Sequence, residues 1–309
     1  MALRNFLFLA ALLLATATSA LADDRDYLVW SGVRAAWGTT RGAGVTVATL
    51  GTGVNYDLDE FRDRIAREDD GSYGFDSVTG CRDPMDHFDY GVGTQVASVL
   101  AGNEFGVAPE ARLIPVRIFD ENGSGTTETV ARGLDYAVGR GAKVIEVGGG
   151  PFAFTSTADP LCRAFLRADT AGALLVLPAG NDGVRIGAYP TGCPLRNAVV
   201  VAALDGNGDL SSYSNFGFPA VHLAAPAQNI WRISRDGSIR KDGQGTTFST
   251  AYAAGVAALV WSAHPGYRAA DVRAALIRGS TARSSLNGKV LANGFLNANL
   301  AIRARIGRE

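Results

Sequence analysis

Lysine is nearly missing from this chain. Of its 29 basic residues only Lys143, Lys241 and Lys289 are lysines, and 30 acidic residues bring the net charge to −1. No basic run appears, so the electrostatic footprints of a nucleic-acid binder and of a polybasic membrane patch are both lacking. Neither nucleic acid nor a stable membrane anchor is expected as a partner. Histidine is scarce too, with only His87, His222 and His264. The three cysteines, Cys81, Cys162 and Cys193, form no CxxC pair of the kind that holds zinc. Proline is limited to 11 residues and charge to 19% against 47% hydrophobic residues, which excludes a disordered chain, a collagen and a polar repeat array.

Long apolar runs are also few. The one near the start, Phe6 to Ala15, follows Arg4 and precedes the small-residue site Ala20-Leu21-Ala22. It is shorter than the roughly 20 residues a membrane span needs and has the form of a secretory signal over residues 1–22. The expectation is export to a periplasm or beyond, with a single domain over residues 23–309. Export permits disulfides, so three cysteines give one bridge and one leftover thiol. Cys162 with Cys193 is the preferred pair, leaving Cys81 either as a partly buried bystander or as a reactive thiol.

Runs rich in Val, Ile and Leu alternate with helix-length segments. Strands are expected over 44–50, 112–118, 143–147, 174–178, 198–204 and 221–225. Helices are expected over 92–101, 126–139, 159–171, 247–264, 269–278 and 295–303, the last three with no strand between them. Such alternation predicts an α/β fold, three layers deep, with helices on both faces of a mostly parallel sheet. Chemistry in such folds sits beyond the carboxyl ends of the strands.

Four of the loops at those ends carry a resemblance. Gln244-Gly245-Thr246-Thr247-Phe248-Ser249-Thr250-Ala251 resembles the serine-bearing turn of the subtilisin-like proteases, and Gly91-Val92-Gly93-Thr94-Gln95-Val96-Ala97 their histidine segment. Val45 to Val54 resembles the strand and turn of the catalytic aspartate, and Ala179-Gly180-Asn181-Asp182-Gly183 the turn of the oxyanion asparagine. Further matches occur in the family's order at Gly106 to Ala111, Tyr189-Pro190, Ser212 to Gly217, Leu223 to Pro226 and Leu296-Asn297-Ala298. The resemblance covers about residues 27 to 303 and implies the subtilase fold.

It also implies a triad, and here the chain departs from the pattern. Acyl transfer of this type needs a hydroxyl nucleophile, an imidazole base and a carboxylate that orients the imidazole. The matching positions are Gly51 for the aspartate, Val92 for the histidine and Thr247 for the serine. Thr247 keeps a hydroxyl, but with no base at position 92 it stays protonated and weakly nucleophilic. His264 ends the helix that begins at Thr247, and about 17 residues of helix place it roughly 25 Å away. His87, on the approach to Val92, is the one histidine open as a rescue base. The Ser-Glu-Asp arrangement of the sedolisins is excluded, because residues 92–103 hold no carboxylate.

Glu146 interrupts an otherwise apolar strand. Burial would raise its pKa and make it notable, unless neighbouring backbone donors satisfy it. It opens the run Glu146, Val147, Gly148, Gly149, Gly150, which the resemblance places along the substrate groove and which lacks side chains over its last three residues, predicting a widened or reshaped groove. Asn181 is either the oxyanion donor the family implies or a turn residue bonded to its own backbone. The family's calcium loop looks cut short at Gly102 to Gly106, so no obligatory metal is expected, and no other cofactor. About twenty residues separate Ala22 from Gly44, short for the pro-segment of an active relative. Three functions remain open: an exported pseudoprotease that binds a peptide or protein, a residual hydrolase using Thr247 with His87 or Glu146, and a structural component of an exported assembly.

Overall fold

A computed structural model describes residues 26–149, 152, 154, 156–187 and 193–307. The signal-like segment, Gly150 and Tyr189-Pro190 lie outside those residues. Two short helices, α1 (Asp26–Trp30) and α2 (Val33–Ala36), lead into β1 (Thr46–Gly51). There follow β2 (Phe75–Asp76), α3 (Val92–Ala101), β3 (Arg112–Arg117), α4 (Thr127–Gly139), β4 (Val144–Val147), α5 (Pro160–Thr170), β5 (Leu174–Pro178), β6 (Ala198–Leu204) and β7 (Leu223–Pro226). The remainder is β8 (Ile230–Ile233), β9 (Ile239–Gly243), α6 (Thr246–Ala263), α7 (Ala269–Arg278), β10 (Ser280–Ala282), β11 (Gly294–Leu296) and α8 (Ala298–Arg303).

Nine strands form one sheet in the order β10-β11-β7-β6-β5-β4-β1-β3-β2, and every pairing in it is parallel except β10 with β11. This is the expected fold class. One correction concerns the C-terminal region, where β10 and β11 separate α7 from α8 and the last helix starts at Ala298, after Leu296 has entered the sheet. A second is the antiparallel ribbon β8–β9, which was not expected at all.

The two-residue period of each strand sends alternate side chains to opposite layers. Val47, Val144, Leu174 and Val199 pack with α3 and α6, whereas Ala48, Ile145, Leu175 and Val200 pack with α4 and α5. Helix α6 is buried along nearly its whole length, and its buried hydroxyls on Ser249 and Thr250 both donate to Thr246 O. Thr126 caps α4 by accepting from Thr129 N, and Asp159 caps α5 by accepting from Leu161 N. Cys162 and Cys193 form the expected disulfide, with Cα atoms 5.6 Å apart. Cys81 is exposed, which corrects the partly buried reading; the Thr79 hydroxyl lies 3.1 Å from its sulfur.

Strand order reverses at β1. The chain passes from β1 to β3 on one side and then returns to β4 on the other, so a crevice opens beyond the carboxyl ends of these strands.

Candidate functional site

At that crevice a cavity of about 40 Å³ is bordered by Thr49, Leu50, Gly51, Thr52, Val92, Gly93, Val96, Phe119, Glu146, Gly148, Gly149 and Thr247. The fold thus brings together Gly51 from the end of β1, Val92 from the start of α3 and Thr247 from the start of α6. Each is positioned by local sequence. Gly91 takes a left-handed φ of 59° to turn the chain into α3, and Gly245, with φ 122°, does the same before α6. A Cβ built on Gly51 would meet nothing nearer than the Gly93 Cα at 3.7 Å, so the glycine is not demanded by space. The methyl of Thr247 faces Gly148, 3.8 Å from where a Cβ on that glycine would sit.

Glu146 lies beneath this cavity and is fully buried. The β1–β4 register sets it opposite Thr49, whose hydroxyl donates to Glu146 Oε2 at 2.8 Å. Oε1 has no partner among the described residues. The reading in which backbone donors satisfy this carboxyl is therefore corrected: its one bond comes from a side chain. Burial pushes its pKa up to about 8, and the Thr49 bond opposes that rise only in part. At neutral pH the group is a carboxylic acid.

The neighbouring groove residues divide by strand parity. Val147 is fully buried among the α4 and α5 side chains on the opposite face of the sheet, so it does not line the groove as expected. Gly148 and Gly149 do border the cavity. Of the two expected outcomes, widening and reshaping, the widening is corrected, because the Phe119 ring occupies the space: a Cβ on Gly149, whose φ is 82°, would fall 2.6 Å from Phe119 Cζ.

Asn181 stands on the other side of Thr247. Its Oδ1 accepts from Thr246 N at 2.9 Å and from Thr246 Oγ1 at 3.0 Å, not from its own turn. Asn215 performs the turn-stabilising task instead, accepting from Asp182 N and Val184 N while donating to Ala179 O. With its carbonyl end tied to Thr246, the Asn181 amide keeps its NH₂ end for other partners.

The histidines are elsewhere. His87 is exposed on its loop and does not border the cavity. His222 accepts from Val200 N through Nδ1, and burial, with a contribution from the Arg273 charge, lowers its pKa to about 3. His264 lies beyond the far end of α6, its Nε2 2.7 Å from Ile302 O. Among the described residues no cluster of three or more His, Cys, Asp or Glu is placed to hold a metal ion.

Three participants were not singled out from sequence: Thr49, Phe119 and Asp86. Asp86 is buried, and its Oδ2 accepts from Thr94 N at 3.0 Å and Thr94 Oγ1 at 2.7 Å. Burial raises its pKa, against the bonds from Thr94 and Thr52. Because Thr52 Oγ1 in turn accepts from Gly93 N at 2.8 Å, this carboxyl ties the loop after β1 to the start of α3. The one available signal was that Glu146 is a lone polar residue in an apolar strand; Thr49 shares its strand with Thr46 and carried no such mark.

Comparison with known proteins agrees with this architecture. The family described as Subtilase family matches residues 42–295. A thermostable alkaline protease from Halalkalibacterium halodurans is 34% identical over 265 residues, 84% of this chain and 68% of that protein. Thermitase from Thermoactinomyces vulgaris is 32% identical over 272 residues, 87% of this chain and 92% of thermitase. Among solved structures, a cold adapted subtilisin-like serine proteinase superposes with a TM-score of 0.69 at 29% identity, covering 82% of this chain and 89% of its own. MycP1 with its N-terminal propeptide removed superposes with a TM-score of 0.74 at 26% identity, covering 91% and 97%. The chain belongs to the subtilase family.

Proposed function

We propose that this protein is an exported subtilase that binds peptide segments in the groove beside β4 and does not hydrolyse them. The observation that carries this reading is the composition of the cavity between Gly51, Val92 and Thr247: its lining holds threonine hydroxyls and a buried acid but no imidazole. A threonine hydroxyl without a base remains protonated at neutral pH and attacks poorly, and its methyl group restricts the rotamers open to it. Asn181, held by Thr246, would still offer an NH₂ group to a bound carbonyl, which favours binding without chemistry. Export is proposed from residues 1–22; no helix of the described residues is long and apolar enough to cross a membrane.

A fluorophosphonate probe and a broad peptide library, applied to the purified protein and to Thr247→Ala, test the proposal. We expect no labelling and no cleavage by either. Cleavage that disappears in Thr247→Ala overturns it. That result would favour the second reading, a residual hydrolase, which draws on one observation: Glu146 and Thr247 border the same cavity.

A further inference from the structure

We propose that a second cleft, on the flank of the sheet where the chain between β1 and β2 folds over the start of β3, binds a neutral carbohydrate through hydroxyls on adjacent ring carbons. The cleft has a volume of about 460 Å³ and shares no residue with the cavity at Gly51. Its occupancy is therefore independent of what the groove beside β4 holds.

Local pairing builds the cleft. Ile65 makes an isolated parallel bridge with Leu113 of β3, and the buried side chains of Phe61 and Ile65 form an apolar floor. Tyr56 and Tyr73 form one wall, their rings stacked with centroids 3.9 Å apart and planes 9° from parallel. The Tyr56 hydroxyl donates to Asp83 Oδ1 at 2.6 Å. The Arg67 guanidinium lies 4.2 Å from the centre of the Tyr73 ring and donates to the Tyr73 hydroxyl at 2.8 Å. The wall is thus held in place by the chain's own contacts, which removes part of the ordering cost a ligand would otherwise meet.

Charge decides what fits. Three guanidiniums, of Arg62, Arg67 and Arg112, and three carboxylates, of Asp57, Asp59 and Asp63, complete the lining. All six residues are exposed, so a molecule in the cleft meets them directly. An anion would face the three carboxylates and a cation the three guanidiniums, whereas a neutral molecule meets no like charge. Arginine only donates and ionised aspartate only accepts. Arg67 and Arg112 each use one N–H inside the chain, on the Tyr73 hydroxyl and on Ile65 O, out of the five that a guanidinium carries. The matching ligand is neutral and presents donors and acceptors side by side.

A peptide backbone meets that description poorly here. Strand-like docking needs a free backbone edge, but the carbonyls of Ile65 and Ala66 already accept from Arg112 and Arg140, and Ala66 N donates to Leu113 O. What the cleft offers is side chains with planar, two-pronged heads. Two hydroxyls on adjacent carbons of a sugar ring match such a head, each able to donate and to accept, while the C–H face of the ring packs on the tyrosines and the apolar floor.

Maltohexaose, cellohexaose and N-acetylchitohexaose, each offered to the purified protein with binding read by isothermal titration calorimetry, test the site. At least one should bind, with an affinity that added salt leaves unchanged, since the ligand carries no charge. Tyr56→Ala, Asp57→Asn and Arg67→Lys should each weaken it about tenfold, the scale of one hydrogen bond to a charged group. Arg67→Lys is the sharpest of the three because it keeps the positive charge and removes the fork. Circular dichroism checks that the variants are folded, and the two charge-site substitutions are at exposed residues. If none of the three sugars binds, or if binding persists undiminished in all three variants, the assignment is wrong. Displacement of a bound sugar by hexa-alanine would make the cleft a peptide site and overturn it as well.

Discussion

Thr49 and Glu146 face one another across the parallel register of β1 and β4, and the 2.8 Å bond from the Thr49 hydroxyl is the one bond the Glu146 carboxyl makes among the described residues. Both side chains project to the α3 and α6 side of the sheet, the face on which the crevice opens. A buried acid satisfied at one oxygen is stable only when neutral, because an uncompensated carboxylate in an apolar surround is too costly to retain. The same geometry therefore governs both the stability of the fold and the chemistry available at the cavity.

Stability should fall as pH rises through the range where Glu146 would ionise. In the unfolded chain its pKa is near 4.5, and burial raises it to about 8 in the folded one. Between those values the folded state holds a proton that unfolding releases, so the contribution is fully present below 4.5, is lost as pH climbs to about 8 and is flat above. The upper limit is about 5 kcal/mol. Urea midpoints of the protein and of Glu146→Gln, measured from pH 5 to 9, should diverge over this range. Parallel curves would mean that the carboxyl is not held neutral.

The fold was legible because its signals are local. The strand Leu174–Pro178 and the helices Val92–Ala101 and Ala269–Arg278 run where apolar spacing and flanking turns put them. β9 was missed because Ile239 to Asp242 is exposed and polar, with no alternation to mark it. β10 and β11 are three residues each and owe their place to pairing with one another and with Ala224 on β7, information that no local pattern carries. At the site, Glu146 stood out as an acid among aliphatic residues, but its partnership with Thr49 depends on register across 97 residues of chain. Val147 was placed in the groove because a continuous run was read without its two-residue alternation.

On the proposed reading, supplying an aspartate, a histidine and a serine at positions 51, 92 and 247 should create hydrolysis. Removing a whole triad from a subtilase lowers turnover by about 10⁶, and Gly51 has room for a side chain, with nothing nearer its Cβ than 3.7 Å. The combined variant Gly51→Asp, Val92→His, Thr247→Ser should gain measurable cleavage of a chromogenic peptide. Each single substitution should stay at background, because the three groups act as a unit. Activity in Thr247→Ser alone would show that a base is already present.

The disulfide should be a principal source of stability on the α5 side. Cys162 and Cys193 are 31 residues apart, a loop whose closure removes about 3–4 kcal/mol of unfolded-chain entropy. The double substitution Cys162→Ala, Cys193→Ala should lower the melting temperature by roughly 5–15 °C. Cys81, exposed and outside the bridge, should react with a thiol reagent in the native protein while melting is unchanged.

Phe119 should set the size limit of the cavity. Its ring packs against Gly149, where the backbone has a φ of 82° and no side chain competes for the space. Truncating it to alanine opens volume beside Val92 and Val96 without touching Glu146 or Thr49. In Phe119→Ala labelled hexapeptides that carry Val or Leu should bind the groove more tightly than they bind the unmodified protein, read by fluorescence polarisation. A partly buried ring contributes less than a core phenylalanine, so the loss of stability should fall below the roughly 3–5 kcal/mol of a fully buried one. If size selectivity is unchanged in this variant, the ring does not close the cavity, and the side chains that limit it must be sought on α6.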